Sequence, residues 1–462
     1  MFAPPSGDRI RVLIVAANAS AQWGGEAVIP LHIFRGLRAA GHDAWLCVGS
    51  ETKAELDELL GPDRLRVVYV EDARKHAFFR WLDAHSPQWV APRYTYYYLS
   101  TLSTLLAQRS TVLWLIGSLG IQIVHQPTPV SPKSPSFLFG LPVPLVVGPM
   151  NGGMEYPPGF RFMEVRAVRW VRSAGRLLAG AINWLAPGKL HAARLLVANE
   201  RTARALPAGV SGIITQMAEN GIEFGQWSRS LSEAPSEGNA SFRLIFIGRL
   251  EAWKGAQWLL EGFARAANRI DCRLTIVGEF KDALQRLENE ARRLGIASRV
   301  EFVGWQPQAR CAQLLAEADA LALPSVFECG GAVVLEAMAS ARPVIAVDWG
   351  GPGDYLTPEC GVLLPATDPA RLVHDIEKTI VELGKDRDRC RRMGLAGRAR
   401  VIAEYTWPAR IDHLVSIYRE VLALYPAQVR SRLAFRPSRK PEAEKQKTSE
   451  NSPHQFAKPG PK

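Results

Sequence analysis

The sequence predicts an α/β protein made of two doubly wound parallel sheets that face each other across a cleft. Three observations carry that reading. Short apolar runs of strand length alternate with helical patterns almost throughout, as in parallel sheets covered by helices on both faces. The chain has 462 residues, too many for one ordinary core. A polar stretch without hydrophobic period, QWSRSLSEAPSEGNAS at 226–241, divides the strand candidates into two sets.

The first set comprises residues 11–16, 44–48, 67–70, 122–125, 144–147 and 195–198; the second comprises 244–248, 273–278, 300–303, 320–323 and 344–347. Helical patterns such as 27–40 and 258–267 lie between them. The expected division is a first domain at 1–225, a linker at 226–241 and a second domain at 242–407. A helix within 408–426 is expected to pack back towards the first domain. A tail follows at 430–462, with nine Lys/Arg against three Asp/Glu. Rich in Pro, Lys, Ser and Gln, it reads as disordered, and it carries about half of the formal net charge of +11. Such an excess suits anionic partners. The sequence has no RNP, zinc-finger or helix-turn-helix pattern, so nucleic acid is not expected among them.

Six scattered cysteines form no CxxC pair, which argues against a zinc or dithiol site and suits a reducing cytosol. The apolar run near the N-terminus, 12–17, is of strand length and is not expected to be a signal peptide. The longest apolar stretch, TVLWLIGSLGIQIV at 111–124, is interrupted by Gly117 and Gly120 and is too short to span a bilayer.

Ligands of such sheets bind beyond the carboxyl ends of the strands. Four glycine pairs fall in those loops: Gly24-Gly25, Gly152-Gly153, Gly330-Gly331 and Gly350-Gly351. Glycine lets backbone approach a ligand, and a helix N-terminus offers free N–H groups to an anion. Glu328 and Glu336 bracket the third pair. Eight residues apart, they would be about 12 Å apart along a helix axis, too far to share a proton but suited to opposite ends of one long ligand. Glu328 is expected in the loop and Glu336 on the helix that follows, with the N–H groups of Gly330, Gly331, Ala332 and Val333 between them. A nucleotide sugar has a matching order of sugar, diphosphate and ribose. Taken singly, either glutamate also reads as a solvated helix-start acid.

The stretch from Ser325 to Gly351 resembles the signature of retaining GT-B glycosyltransferases of the group 1 or family 4 type. Their E-x7-E motif is matched by Glu328–Cys–Gly–Gly–Ala–Val–Val–Leu–Glu336. GRLEAWKG at 248–255 resembles the segment whose Arg and Lys hold the donor diphosphate, here Arg249 and Lys254, and ENGIE at 219–223 resembles the hinge-side turn. The resemblance covers most of 244–407; the first half matches more loosely, through Gly24, Gly25 and AAGHDAWLCV. It implies two Rossmann-like domains and sugar transfer from a nucleoside diphosphate donor with retained configuration. It also implies that no cofactor or essential metal is needed. Glu336 would bind the ribose and Glu328 the donor sugar. His125, at the end of GIQIVHQ, would lie near that sugar and be catalytic with Glu328, bonding the sugar or positioning the acceptor; it also reads as a strand-end histidine capping a loop. The chemistry fits: a departing nucleoside diphosphate develops negative charge, which fixed cations and N–H dipoles stabilise.

The acceptor is expected on the first domain. Arg166, Arg169, Arg172 and Arg176 recur at helical spacing among apolar residues, a pattern that suits an anionic membrane surface or an ordinary half-buried helix. Aromatics in FFRWLDAHSPQWV and RYTYYYL suit sugar rings, headgroups or a core. The reading is thus a cytoplasmic, peripherally membrane-bound hexosyltransferase acting on a lipid-linked or polysaccharide acceptor. A nucleotide-sugar epimerase of the same fold and a non-catalytic basic adaptor are the alternatives. Asp348 and Asp354 read as turn or cap residues.

Overall fold

The structure, a computed structural model, describes residues 9–23, 25–71, 93–164, 179–228, 241–279 and 283–425, together with Phe78 and Trp81. Gly24, the four arginines of 166–176, most of the 226–241 stretch and the tail lie outside them.

The first sheet holds β1 (Arg11–Val15), β2 (Asp43–Gly49), β3 (Val67–Val70), β4 (Ile123–Gln126), β5 (Leu145–Met150), β6 (Arg194–Val197) and β7 (Ile213–Gln216). Their spatial order is β3-β2-β1-β4-β5-β6-β7. The second holds β8 (Phe242–Ile247), β9 (Cys272–Val277), β10 (Val300–Gly304), β11 (Ala320–Leu323), β12 (Val344–Val347) and β13 (Gly361–Leu364), ordered β10-β9-β8-β11-β12-β13. Every pairing between these strands is parallel. Central strands are near-continuous apolar runs: VLIV of β1, ALAL of β11 and VIAV of β12 are buried throughout. Strands covered by helices on both faces require that composition. One apolar cluster fills each face of the first sheet, and one contiguous cluster fills the second domain.

The order of each sheet reverses beside its first strand, between β1 and β4 and between β8 and β11. At such a switch point the crossovers leave in opposite directions and a crevice opens. Loops 248–255 and 324–331 flank the crevice of the second sheet.

The boundary between domains falls earlier than the polar stretch suggested. The chain crosses at 217–223, and Trp227, on the short helix Phe224–Ser228, is already buried in the second core. The bulky indole binds residues 224–228 to that core. The closing helix, Trp407–Leu424, packs on the first domain: Ile411, Leu414, Ile417 and Tyr418 join the cluster of β1 and the Val28–Ala39 helix. The two crossings touch, with Ile222 N–H bonded to Tyr405 O and Trp407 N–H to Ile222 O.

The apolar stretch at 111–124 splits between the helix Arg93–Leu119 and β4, and Val112, Leu115 and Ile116 are buried in the first domain. No described helix is long and apolar enough to cross a membrane.

Loop 151–164 spans from the first domain to the second. Trp349 Nε1 donates to Glu155 O at 2.8 Å. The rings of Phe160 and Trp258 meet edge-on at 4.9 Å. Gly159 lies so close to the backbone of Thr367 that a Cβ there would overlap its carbonyl oxygen. Gly159→Ala must separate two backbones and should lower stability by about 1–3 kcal/mol, measured as a shift of the denaturant midpoint. An unshifted midpoint would mean that this contact is absent in solution.

Candidate active site

The loop after β11 is pinned before it reaches its helix. Ser325 Oγ and Val326 N–H both bond to Trp253 O, and Gly351 N–H donates to Glu328 O at 2.8 Å. Gly255, at φ +79°, approaches Pro324 O too closely for any side chain. The two loops of the switch point are thereby packed into one cradle, and their charged side chains meet: Lys254 Nζ pairs with Glu328. Both are largely withdrawn from solvent, at 14% and 13% exposure, where an ion pair is screened less than on the open surface.

Gly331, at φ +73°, opens the helix Ala332–Ala339, which has no side-chain cap. A left-handed residue at this point suits glycine. The first-turn N–H groups of Ala332 and Val333 thus have no side-chain cap, and such helix starts suit anions. Glu336 lies one turn inside, part-buried, and desolvation lifts its carboxyl to about 7. Glu328 thus lies in the loop before the glycine pair and Glu336 on the helix after it. Arg249 is exposed at the end of β8. Gly25, at φ +57°, opens the turn before the Val28–Ala39 helix and faces open space. Among the described residues, no three His, Cys, Asp or Glu side chains gather as a metal site.

His125 is placed elsewhere, against the expectation that it touches the donor sugar. It is fully buried within β4. Its Nε2 bonds to Gly148 O, and Tyr418 Oη lies 2.6 Å from its Nδ1. Tyr418 belongs to the closing helix, so the imidazole points into the helix-covered face of the sheet. Burial lowers its pKa to about 4. A neutral ring with both nitrogens engaged is a core residue tying the closing helix to the first sheet.

The cleft also holds groups that sequence reasoning passed over. Asn151, at the end of β5, donates through Nδ2 to Glu219 Oε1 at 2.7 Å and to Cys329 O at 2.9 Å. Asn199 Nδ2 donates to Asp354 Oδ2 at 2.6 Å, so Asp354 joins the domains as well as sitting in a turn. Asn220 Nδ2 donates to Tyr355 Oη at 3.1 Å, and Arg410 from the closing helix donates to Ala218 O. The clues were the asparagine preceding Gly152-Gly153 and the ENG turn itself.

Residues 241–381 match the family model described as glycosyl transferases group 1. Over 199 residues the chain is 34% identical to a D-inositol 3-phosphate glycosyltransferase of Corynebacterium diphtheriae, covering 41% of this chain and 45% of that one. The chain thus spans under half the length of that relative. It is 26% identical over 344 residues to a GDP-mannose-dependent alpha-mannosyltransferase of Mycolicibacterium smegmatis, covering 66% and 84%. Among solved structures, a glycosyltransferase from Rickettsia africae superposes with a TM-score of 0.62 at 15% identity, covering 90% of this chain and all of that one.

A carboxyl raised by folding costs nothing below its ordinary value of 4.5, and its cost grows as pH climbs towards about 7. Glu336→Gln removes that cost. The variant should gain more thermal midpoint over the parent at pH 8 than at pH 5; equal gains would show that the carboxyl is not desolvated.

Proposed function

We propose that this chain, a GT-B protein with a group 1 glycosyltransferase domain, moves a hexose-type sugar from a nucleoside diphosphate donor to a lipid-linked or polysaccharide acceptor. Transfer proceeds with retained configuration, without an essential metal, at the cytoplasmic face of a membrane in cell-surface or exopolysaccharide synthesis. The observation that carries this reading is the meeting of Lys254 and Glu328 at the switch point, beside the uncapped helix that bears Glu336.

Breaking the sugar–phosphate bond leaves the electron pair on a β-phosphate oxygen. Lys254, Arg249 and the N–H groups of Ala332 and Val333 would stabilise the charge that develops there. Without donor, the carboxylate of Glu328 neutralises Lys254. A diphosphate drawing Lys254 to itself frees that carboxylate to accept bonds from sugar hydroxyls. Glu336, deeper along the helix, accepts from the ribose. Arg249 can grip two phosphate oxygens at once, while Lys254 acts as a point charge.

The test is a thermal-shift screen of UDP-, GDP- and ADP-sugars, followed by release of nucleoside diphosphate with and without EDTA. One donor should stabilise the parent and not Glu336→Ala. Lys254→Ala should slow turnover by about 10²–10³-fold, and EDTA should leave the rate unchanged. No donor binding by folded protein overturns the transferase reading, and an isomerised donor in place of transfer marks an epimerase.

Exposed apolar side chains, two on the first domain and one on the loop that reaches the second, support a membrane-borne acceptor. Trp184 is 75% exposed, Leu185 70% and Phe162 70%. In the sequence, Arg166, Arg169, Arg172 and Arg176 lie between Phe162 and Trp184, with no acid after Glu164. Aromatic and aliphatic tips with neighbouring arginines suit an anionic bilayer. The double variant Trp184→Ala/Leu185→Ala should weaken co-sedimentation with anionic vesicles by about tenfold or more, given about 1.5–3 kcal/mol per buried side chain. A parent protein that stays in the supernatant would overturn the membrane part alone.

A further inference from the structure

The carboxyl of Glu219 has no part in the transfer outlined above, yet it occupies the point where the first domain, the crossover and the donor loop meet. It is 6% exposed. Its Oε1 accepts from Asn151 Nδ2 at 2.7 Å and from Asn220 Nδ2 at 3.1 Å. Its Oε2 has no hydrogen-bond partner among the described residues. The same Asn151 amide also donates to Cys329 O. Asn151 is itself braced from behind, its Oδ1 accepting from Arg201 Nη2 at 3.2 Å and from Thr202 Oγ1 at 3.4 Å. Gly330 makes the arrangement sterically possible, because a Cβ there would overlap Glu219 Oε1 and Asn220 Nδ2. A continuous tether thus runs from the end of β5 to residues 329–330, the peptide units between Glu328 and the uncapped helix.

An unpartnered carboxylate oxygen in a nearly dry site is costly. Space-filling alone would be met more cheaply by an apolar side chain. We propose that Glu219 and Asn151 are positioning residues, which hold the loop 328–331 in the geometry that receives the donor diphosphate. The inference rests on the transferase reading.

The other groups around Glu219 are the Arg410 guanidinium, Asp354, Tyr355 and Cys329. Arg410 Nη2 is engaged by Ala218 O. Burial holds the Glu219 carboxyl above its ordinary range, against the pull of Asn151 and Arg410. A carboxyl raised in the ordered state favours that state at low pH, and the advantage fades as pH rises through the raised value. Glu336 acts with the opposite sign, because ribose hydroxyls prefer its ionised form. Comparing the parent with a Glu219 variant isolates the Glu219 limb.

The experiment is calorimetric titration of UDP, GDP and ADP into the parent, Asn151→Ala, Glu219→Ala, the double variant and Glu219→Gln. Titrations are run at pH 6 and pH 8, with thermal unfolding in parallel. The nucleotide that the parent binds should bind each single alanine variant about tenfold more weakly, the worth of one buried hydrogen bond. The double variant should be no worse than the weaker single. Glu219→Gln, which keeps the acceptor oxygen, should recover affinity over Glu219→Ala and bind relatively better at pH 8 than the parent does. Additive losses, or alanine variants with lower thermal midpoints and parental affinity, would overturn the positioning role alone. A parent that binds none of the three nucleotides would overturn the transferase reading, and this inference with it.

Discussion

The chemistry of this molecule depends on one constraint, that both sheets are parallel throughout their described pairings. A parallel strand can be followed by another only after the chain has returned over the sheet, so every strand ends at the same edge. Loops of quite different sequence are thereby delivered to one place. The switch point then opens a crevice between two of them in each sheet. In the second domain these are the loops of Lys254 and Glu328, 74 residues apart in sequence and paired in space. In the first domain the equivalent pair is the turn around Gly25 and the loop after β4, where Glu26 Oε2 accepts from Val130 N–H at 3.0 Å.

How much of this was legible follows from how local each feature is. The strand VLIV of β1 announces itself because a central strand must be apolar on both faces. The four-residue strands β7 and β13 were not read. β7 is largely exposed at a sheet edge, so burial imposes no clear pattern on it. The order of Glu328, the glycine pair and Glu336 was readable because loop, cap and helix follow within a few residues. Asn151 and Glu219 were not joined in the sequence reading, since 68 residues separate them and no short-range pattern links an asparagine after a strand to a glutamate in a crossover.

His125 shows a different limit. Its position at the end of a strand was legible, but the face it occupies was not. Alternation within a strand sends neighbouring side chains to opposite faces, and in a doubly covered sheet both faces are buried. Only the closing helix, which brings Tyr418 to the imidazole, decides that this side chain belongs to the core. The crossing at 217–223 is hidden from sequence for a related reason. Polar composition carries no signal of a crossing that is itself buried and holds Glu219 at 6% exposure.

The pairing of the two crossings has a mechanical meaning. Two bodies joined by one strand of chain can swivel in every direction, like a ball in a socket. Here a second connection, at 405–407, runs beside the first and is hydrogen-bonded to it through Ile222. Arg410 adds a further tie to Ala218. Two attachments side by side resist a twist of one sheet against the other, and loop 151–164, with Phe160 packed on Trp258, ties the domains a third time away from them. Like a lid fixed at hinge and latch, the loops that meet across the cleft are held to one set of partners.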